Sequence, residues 1–329
     1  MENQQKIDVL SIGDITTEPF IKLSEALVLP SPQGQQLCVN YGDKVAFESA
    51  EVLRAVGNAG NSAVSAARLG LNSYLLAYVG NDSVGKGDID ELEKNNVHTD
   101  FIVTVPDMPS NYHYVLWYGV ERTILVNHHE YPYSFPKTIP EPKWIYFTSI
   151  ASNSLPYTLE IAQYLKAHPN VKLAFQPGTF QMKLGTNVLK DIYACTELFF
   201  CNFEEAQRIL NTTETDKKKL MNMIRGLGPK IAVVTDGING AYADDGTNQY
   251  FMPVYPHEPF ERTGAGDAFS STLTSALALG KTLEEALTWA PINAMSVTLQ
   301  VGAQKGLLSM EKLQEYLANA PEDYKLKKI

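Results

Sequence analysis

Cysteine is scarce in this chain of 329 residues. Cys38, Cys195 and Cys201 are its three cysteines, with no CxxC pair and no Cys/His spacing of a metal site. An odd number without such spacing excludes a disulfide framework, and structural thiols in a reducing compartment are expected. Positive charge is in deficit: Lys and Arg number 27 against 37 Asp and Glu, a net charge of -10. That balance excludes nonspecific binding to nucleic acid or to an anionic membrane surface, but leaves room for a local basic pocket. No run approaches the ~18 uninterrupted apolar residues of a membrane helix. The opening residues, MENQQKIDVLSIGD, hold no apolar signal segment. A cytoplasmic protein is expected, with the sequons at Asn81 and Asn211 as chance matches. Two nucleotide-binding signatures are missing as well. There is no GxxxxGK[ST], and the first apolar run lacks a GxGxxG turn.

What remains is a 44% apolar chain, long enough for one large α/β domain with a small appendage. Strand patterns fall at 7–13, 72–80, 144–150, 172–178, 197–202 and 230–237. Helical patterns fall near 58–69, 86–95, 157–167, 203–210, 216–226, 267–279, 283–299 and 310–318. Strands alternating with helices predict a doubly wound, mainly parallel sheet flanked by helices, with ligands at the carboxyl ends of the strands. Two β-rich stretches, about 18–56 and 99–130, break the rhythm. They are expected to pair as a small lid on a single domain spanning 1–329. Repeats and low-complexity tracts are absent, and the final YKLKKI reads as a frayed basic end.

The stretch ERTGAGDAFSSTLTSALALG (261–280) places Gly264, Ala265 and Gly266 before a single acid, Asp267, and an apolar helical stripe that stops at Gly280. A helix is expected to start at or near Asp267. One reading is a capped helix start. The other is an anion site of bare N–H groups, beside which an acid makes sense if it takes a proton from a hydroxyl attacking a phosphate. At 57–70, GNAGNSAVSAARLG is a tight turn before a closely packed helix, or a backbone approached by a polyol, with Asn61 offering both donor and acceptor. CNFEEAQRIL (201–210) puts Asn202 and Glu205 at a helix start. Glutamate there is ordinary first-turn chemistry, or it holds the water shell of Mg²⁺. VVTDGINGAY (233–242) ends a strand with Thr235, Gly237 and Gly240. His128 and His129, adjacent in a strand, would face opposite sides and share no metal.

In this order the four stretches resemble the ribokinase-like (PfkB) carbohydrate kinase family, over nearly the whole chain. The family's GGxxxN turn before a helix ending in RLG is VGNAGNSAVSAARLG here, and its D-T-x-G-A-G-D run is ERTGAGDAF. VGNDSVG (79–85), the Asn202 to Glu205 NxxE, the Thr235 to Gly240 TxGxxG and VGAQ (301–304) support the match. The resemblance implies an ATP-dependent kinase acting on a hydroxymethyl group of a sugar, with a nucleoside kinase or a catalytically idle sugar-binding relative as alternatives. Asp267 would be the general base, ionised at neutral pH without special tuning, and the Gly264, Ala265 and Gly266 backbone the anion hole. Asn202 and Glu205 would organise Mg²⁺, and Glu205 would do so through water. Thr235, Gly237, Gly240 and Asn293 would meet the nucleotide, and Gly57, Asn61 and Glu18 the acceptor.

Three departures carry expectations of their own. Val56 replaces the first glycine of the pair, and Glu18 replaces an aspartate one methylene shorter. Glu261 and Arg262 stand where several relatives' Asp-Thr helps hold a monovalent cation, so K⁺ is left open. Arg262 either supplies that cation's charge or is an exposed loop residue. Arg122, in GVERTIL, is a candidate to reach a phosphate or an acidic acceptor from the lid. Tyr112, Tyr114, Trp117 and Tyr118 stack on a ligand, or cover a lid or a homodimer surface.

Overall fold

The computed structural model describes residues 6–32, 34–119 and 121–329. Its main sheet has nine strands. In spatial order they are Ser73–Leu76, Val9–Ile12, Trp144–Phe147, Lys172–Phe175, Thr196–Asn202, Ile231–Thr235, Ala241–Asp244, Gln249–Met252 and Lys327–Lys328. The first six run parallel and the last three antiparallel. The parallel strands are apolar on both faces because helices cover both. Alternate residues go to opposite cores. Trp144, Tyr146, Leu198 and Phe200 join the face covered by Ala265–Ala278 and Leu283–Thr298. Ile145, Phe147, Phe199 and Cys201 join the face covered by Leu155–Ala167 and Lys217–Gly226. Cys38, Cys195 and Cys201 are all free thiols.

A second sheet of four strands, in the order Glu121–Leu125, Tyr114–Tyr118, Thr16–Leu23 and Phe47–Val56, draws on both β-rich stretches. Leu27–Ser31 and Gly34–Cys38 form a separate hairpin. The small sheet is tied to the helix Ser83–Lys94 through buried Asp88, which accepts from the Thr17 hydroxyl at 2.6 Å and the Ala55 N–H at 2.8 Å. Burial pushes the Asp88 carboxyl up to about 6, against the pull of those two bonds.

Four boundaries differ from the sequence pattern. The strand expected over 72–80 breaks at Ala77: Ser73–Leu76 stays in the main sheet, while Tyr78–Gly80 pairs with Val103–Val105. The C-terminus is not frayed, because Lys327–Lys328 pairs with Gln249–Met252. Tyr324, 7% exposed, anchors that end by donating its hydroxyl to the Thr288 carbonyl at 2.6 Å. The antiparallel strands Ala241–Asp244 and Gln249–Met252 were not expected: the first follows directly on the turn signal of 233–242, and the second lies outside it. The helix expected from Asp267 begins at Ala265, putting Asp267 inside its first turn.

Candidate active site

Gly264 is the N-cap of the helix Ala265–Ala278, at φ 78°. A Cβ there would lie 2.3 Å from Ala303 Cβ, so both the left-handed backbone and the close approach require glycine. No side chain caps this helix. Among the described residues no acceptor lies within hydrogen-bond reach of the Gly264, Gly266 or Asp267 N–H groups, and the Ala265 N–H reaches only the Arg262 carbonyl, at 3.5 Å. Free donors at a helix N-terminus form an anion site.

Asp267 sits beside those donors. Asn61 Nδ2 donates to its Oδ2 at 2.8 Å, and Gln176 Nε2 to its Oδ1 at 3.3 Å. Gln176 is held in turn, its Oε1 accepting from the Tyr146 hydroxyl and from Ser270 Oγ. Burial raises the Asp267 carboxyl to about 6; the bonds from Asn61 and Gln176 oppose the rise, the Glu205 charge adds to it and the Arg122 charge lowers it. This corrects the expectation of an untuned carboxylate. The group is still ionised at neutral pH, but its titration now lies close below it.

The helix Asn58–Arg68 delivers Asn61. At 3% exposure both ends of its amide are spent, on Asp267 and on Gln304 Nε2 at 3.1 Å. Gln304 also donates to the Ala55 carbonyl at 2.8 Å. Neither Gln176 nor Gln304 was singled out from the sequence, although Gln304 lies in the VGAQ match. Gly57, at φ 101°, lets that helix start against Asp14, with a would-be Cβ 3.0 Å from the Asp14 carbonyl. Asp14 accepts from His128 Nε2 at 2.8 Å, the Tyr133 hydroxyl at 2.9 Å and the Ala151 N–H at 2.9 Å. His128 Nδ1 lies 3.4 Å from His113 Nε2, and His113 Nδ1 lies 3.2 Å from Glu18 Oε1. The result is a continuous row from Asp14 through two imidazoles to Glu18. His128 and His129 do not lie in a strand as expected. His129 has turned inward instead, and its Nε2 is buried without a partner among the described residues.

On the far side, Asn202 and Glu205 form a reciprocal capping box at the start of Phe203–Leu210. Asn202 Oδ1 accepts from the Glu205 N–H at 2.8 Å, and Glu205 Oε2 from the Asn202 N–H at 2.9 Å. Glu205 Oε1 has no hydrogen bond among the described residues. Thr235 ends its strand, and Gly237 opens a short 3₁₀ turn, Gly237–Asn239, closed by Gly240 at φ 88°. Ile238 at the tip is 79% exposed, an apolar side chain in an otherwise polar turn. Asn293 is corrected. It is 0% exposed, donates to Thr272 Oγ1 at 2.7 Å and accepts from the Leu308 N–H at 2.9 Å, so it ties its helix to Thr272 and Leu308 and presents no surface to a nucleotide.

Similarity to known proteins gives the family of the chain. A model described as pfkB family carbohydrate kinase matches residues 34–310. The chain belongs to that family. The kinase is 27% identical to the ribokinase of Bacillus subtilis, over 80% of this chain and 87% of that protein. It is 25% identical to the ATP-dependent 6-phosphofructokinase of Thermoanaerobacterium thermosaccharolyticum, over 87% and 86%. The structure of Arabidopsis thaliana ribokinase complexed with ribose and ATP superposes with a TM-score of 0.78 at 18% identity, covering 95% of this chain and 99% of that one. The protein is thus a carbohydrate kinase of ribokinase fold, a phosphotransferase.

Of two arginines considered from the sequence, Arg262 is the exposed loop residue expected as one of its readings, while Arg122 departs from expectation. Arg122 meets no open phosphate site: its Nη1 lies 2.9 Å from Glu261 Oε1. Arg262 is exposed, so the positive charge beside Glu261 comes from Arg122. Of the aromatic residues singled out from the sequence, Tyr112 packs on Tyr114 at 5.2 Å and Trp117 on Phe260 at 5.6 Å between ring centroids. No helix among the described residues is long and apolar enough to cross a membrane.

Proposed function

We propose that the chain transfers the γ-phosphate of ATP to a hydroxymethyl group of an uncharged sugar or sugar derivative, with Asp267 as general base and the backbone of Gly264, Ala265 and Gly266 as anion hole. One observation carries this reading: an acid with a raised pKa stands in the first turn of an uncapped helix, next to N–H groups with no partner. Asp267 would accept the acceptor hydroxyl's proton as its oxygen attacks, while those N–H groups donate to the charge on the phosphoryl. Asn61 and Gln176 would hold the carboxylate in line. The exposed Ile238, beside Thr235 and Gly237, offers an apolar seat for a nucleotide base, and the small sheet would close over the acceptor as a lid.

A magnesium ion would neutralise phosphate charge. Among the described residues no three His, Cys, Asp or Glu side chains stand close enough to cage a metal. The donor set therefore fits an ion carried by the nucleotide's phosphates and waters, with the free Oε1 of Glu205 holding the water shell. Glu205→Gln is expected to raise the Mg²⁺ concentration for half-maximal rate by about tenfold, the loss of one charged water-mediated contact. A titration that leaves this concentration unchanged removes Glu205 from the role. Glu261 is balanced by Arg122 and offers no spare charge to K⁺.

The row from Asp14 to Glu18 supports an uncharged acceptor. All four ring nitrogens of His113 and His128 are spent within it, so no N–H is left for a phosphate or a carboxylate. What remains are carboxylate lone pairs, which take hydrogen bonds from hydroxyls. Because Tyr112, Tyr114 and Trp117 already pack on one another or on Phe260, base stacking on them has less support, and the sugar reading is preferred to the nucleoside one. The test is phosphorylation of a mixed panel of neutral sugars, sugar acids, sugar phosphates and nucleosides, read by product mass in potassium and in tetramethylammonium chloride. Products from neutral sugars in both salts are expected. Products only from sugar phosphates or nucleosides would overturn the acceptor class, and a rate restricted to potassium would overturn the reading of Glu261.

A further inference from the structure

Glu261 is 5% exposed, and a carboxylate buried to that degree needs compensation for its charge. Its Oε1 accepts from the Thr263 N–H at 2.6 Å and from the Thr263 hydroxyl, and its Oε2 from the Gly302 N–H at 3.4 Å. The one charged partner among the described residues is Arg122, 139 positions away, on the outer strand Glu121–Leu125 of the small sheet. A second contact joins the same two segments, for Trp117 on the adjacent strand sets its ring edge-on against Phe260. The N–H groups of Phe260 and Glu261 both bond to the Thr298 carbonyl, at 2.8 and 3.0 Å, at the end of the helix Leu283–Thr298. The loop that opens onto Gly264 is therefore anchored by its backbone to the main domain and by its charge to the small sheet.

We propose that Arg122 is a positioning residue for phosphoryl transfer: by neutralising Glu261 from the small sheet, it sets Thr263 and the Gly264–Gly266 N–H groups, so that the anion hole is complete only while that sheet is seated. The kinetic part of this rests on the kinase reading above; the structural part does not. An ion pair between two exposed side chains would carry no such role. Here one partner is buried, and removing the other leaves an uncompensated charge that the Thr263 turn must move to relieve.

The experiment compares Arg122→Gln and Arg122→Lys with the wild type by steady-state kinetics across pH and by hydrogen exchange of the unliganded protein. In Arg122→Gln, kcat should fall by about 10²-fold, the scale of one lost anion-hole donor, with KM for ATP little changed. The acid limb of the kcat profile should move to higher pH, because the Arg122 charge favours ionised Asp267. Arg122→Lys should restore the limb, but only part of kcat, since a point charge lacks the guanidinium's fork. Amides at 262–267 should exchange faster in Arg122→Gln. An unchanged kcat, or a loss of kcat without movement of the acid limb, overturns the proposal. Unchanged exchange at 262–267 overturns it even if no acceptor has been found. Faster exchange together with no phosphorylated product from any acceptor upholds the coupling and places the failure in the kinase reading.

Discussion

Asp267→Asn is expected to lower kcat by about 10²–10⁴-fold, the usual contribution of a general base, while ATP binding measured by calorimetry stays near that of the wild type. The side chain keeps its size, so loss of rate alone isolates the proton transfer. The wild-type rate should rise with pH through about 6 and then level, because burial raises the Asp267 carboxyl to that value and only the ionised form accepts a proton. The same shift has a stability sign. A carboxyl whose folded pKa lies above the unfolded 3.8 binds more protons when folded, so it favours the fold at low pH and this contribution is lost as pH rises through about 6. Asn carries no charge to desolvate, a gain offset by the hydrogen bond lost where its NH₂ faces the Asn61 or Gln176 amide, and the variant's thermal midpoint at pH 7.5 should stay near the wild type's. A near-normal kcat in Asp267→Asn would remove Asp267 from the base's role. A large drop in the midpoint would show that the lost rate reflects damaged structure instead.

Gly264→Ala is the second large effect. The new methyl would lie 2.3 Å from Ala303 Cβ on a backbone at φ 78°, so the turn has to move. A left-handed non-glycine residue costs roughly 1–2 kcal/mol, and misplacing the donors costs about 10²–10³-fold in kcat. Gly266→Ala is the matched control, because a Cβ there meets no atom within 4 Å and leaves the unliganded fold intact. Circular dichroism with kcat separates the two. If Gly264→Ala keeps its rate, the N–H groups of this turn do not stabilise the transferring phosphoryl.

How much of this was legible in the chain follows from how local each feature is. The helix over 203–210 falls where expected because its stop and its Asn202 to Glu205 capping box are written within nine residues. The parallel strands were legible because burial on both faces makes them short continuous apolar runs. Lys327–Lys328 could not be read as a strand, since its reason for pairing is an open edge contributed by Gln249–Met252. Gln176 looked like one polar residue after an apolar run, and only the fold brings it to Asp267. Asn293 failed in the opposite way. Its place on the helix after the anion hole suggested a nucleotide contact, whereas it is buried against Thr272 and the Leu308 N–H. The raised pKa of Asp267 was invisible because it comes from burial, which no neighbouring residue reports.

The partners of the base also bear on how the protein comes into being. Asn61 and Asp267 are separated by 206 positions, Gln176 and Asp267 by 91, and Gln304 reaches back 243 to Asn61. Contacts over such separations form late, after the loops between them have closed. On a ribosome Gln304 is the last of these groups to be added. A nascent chain made only as far as Asp267 still lacks the glutamine that steadies Asn61. On the proposed role of Asp267 as base, its support is complete only after Gln304 has been made.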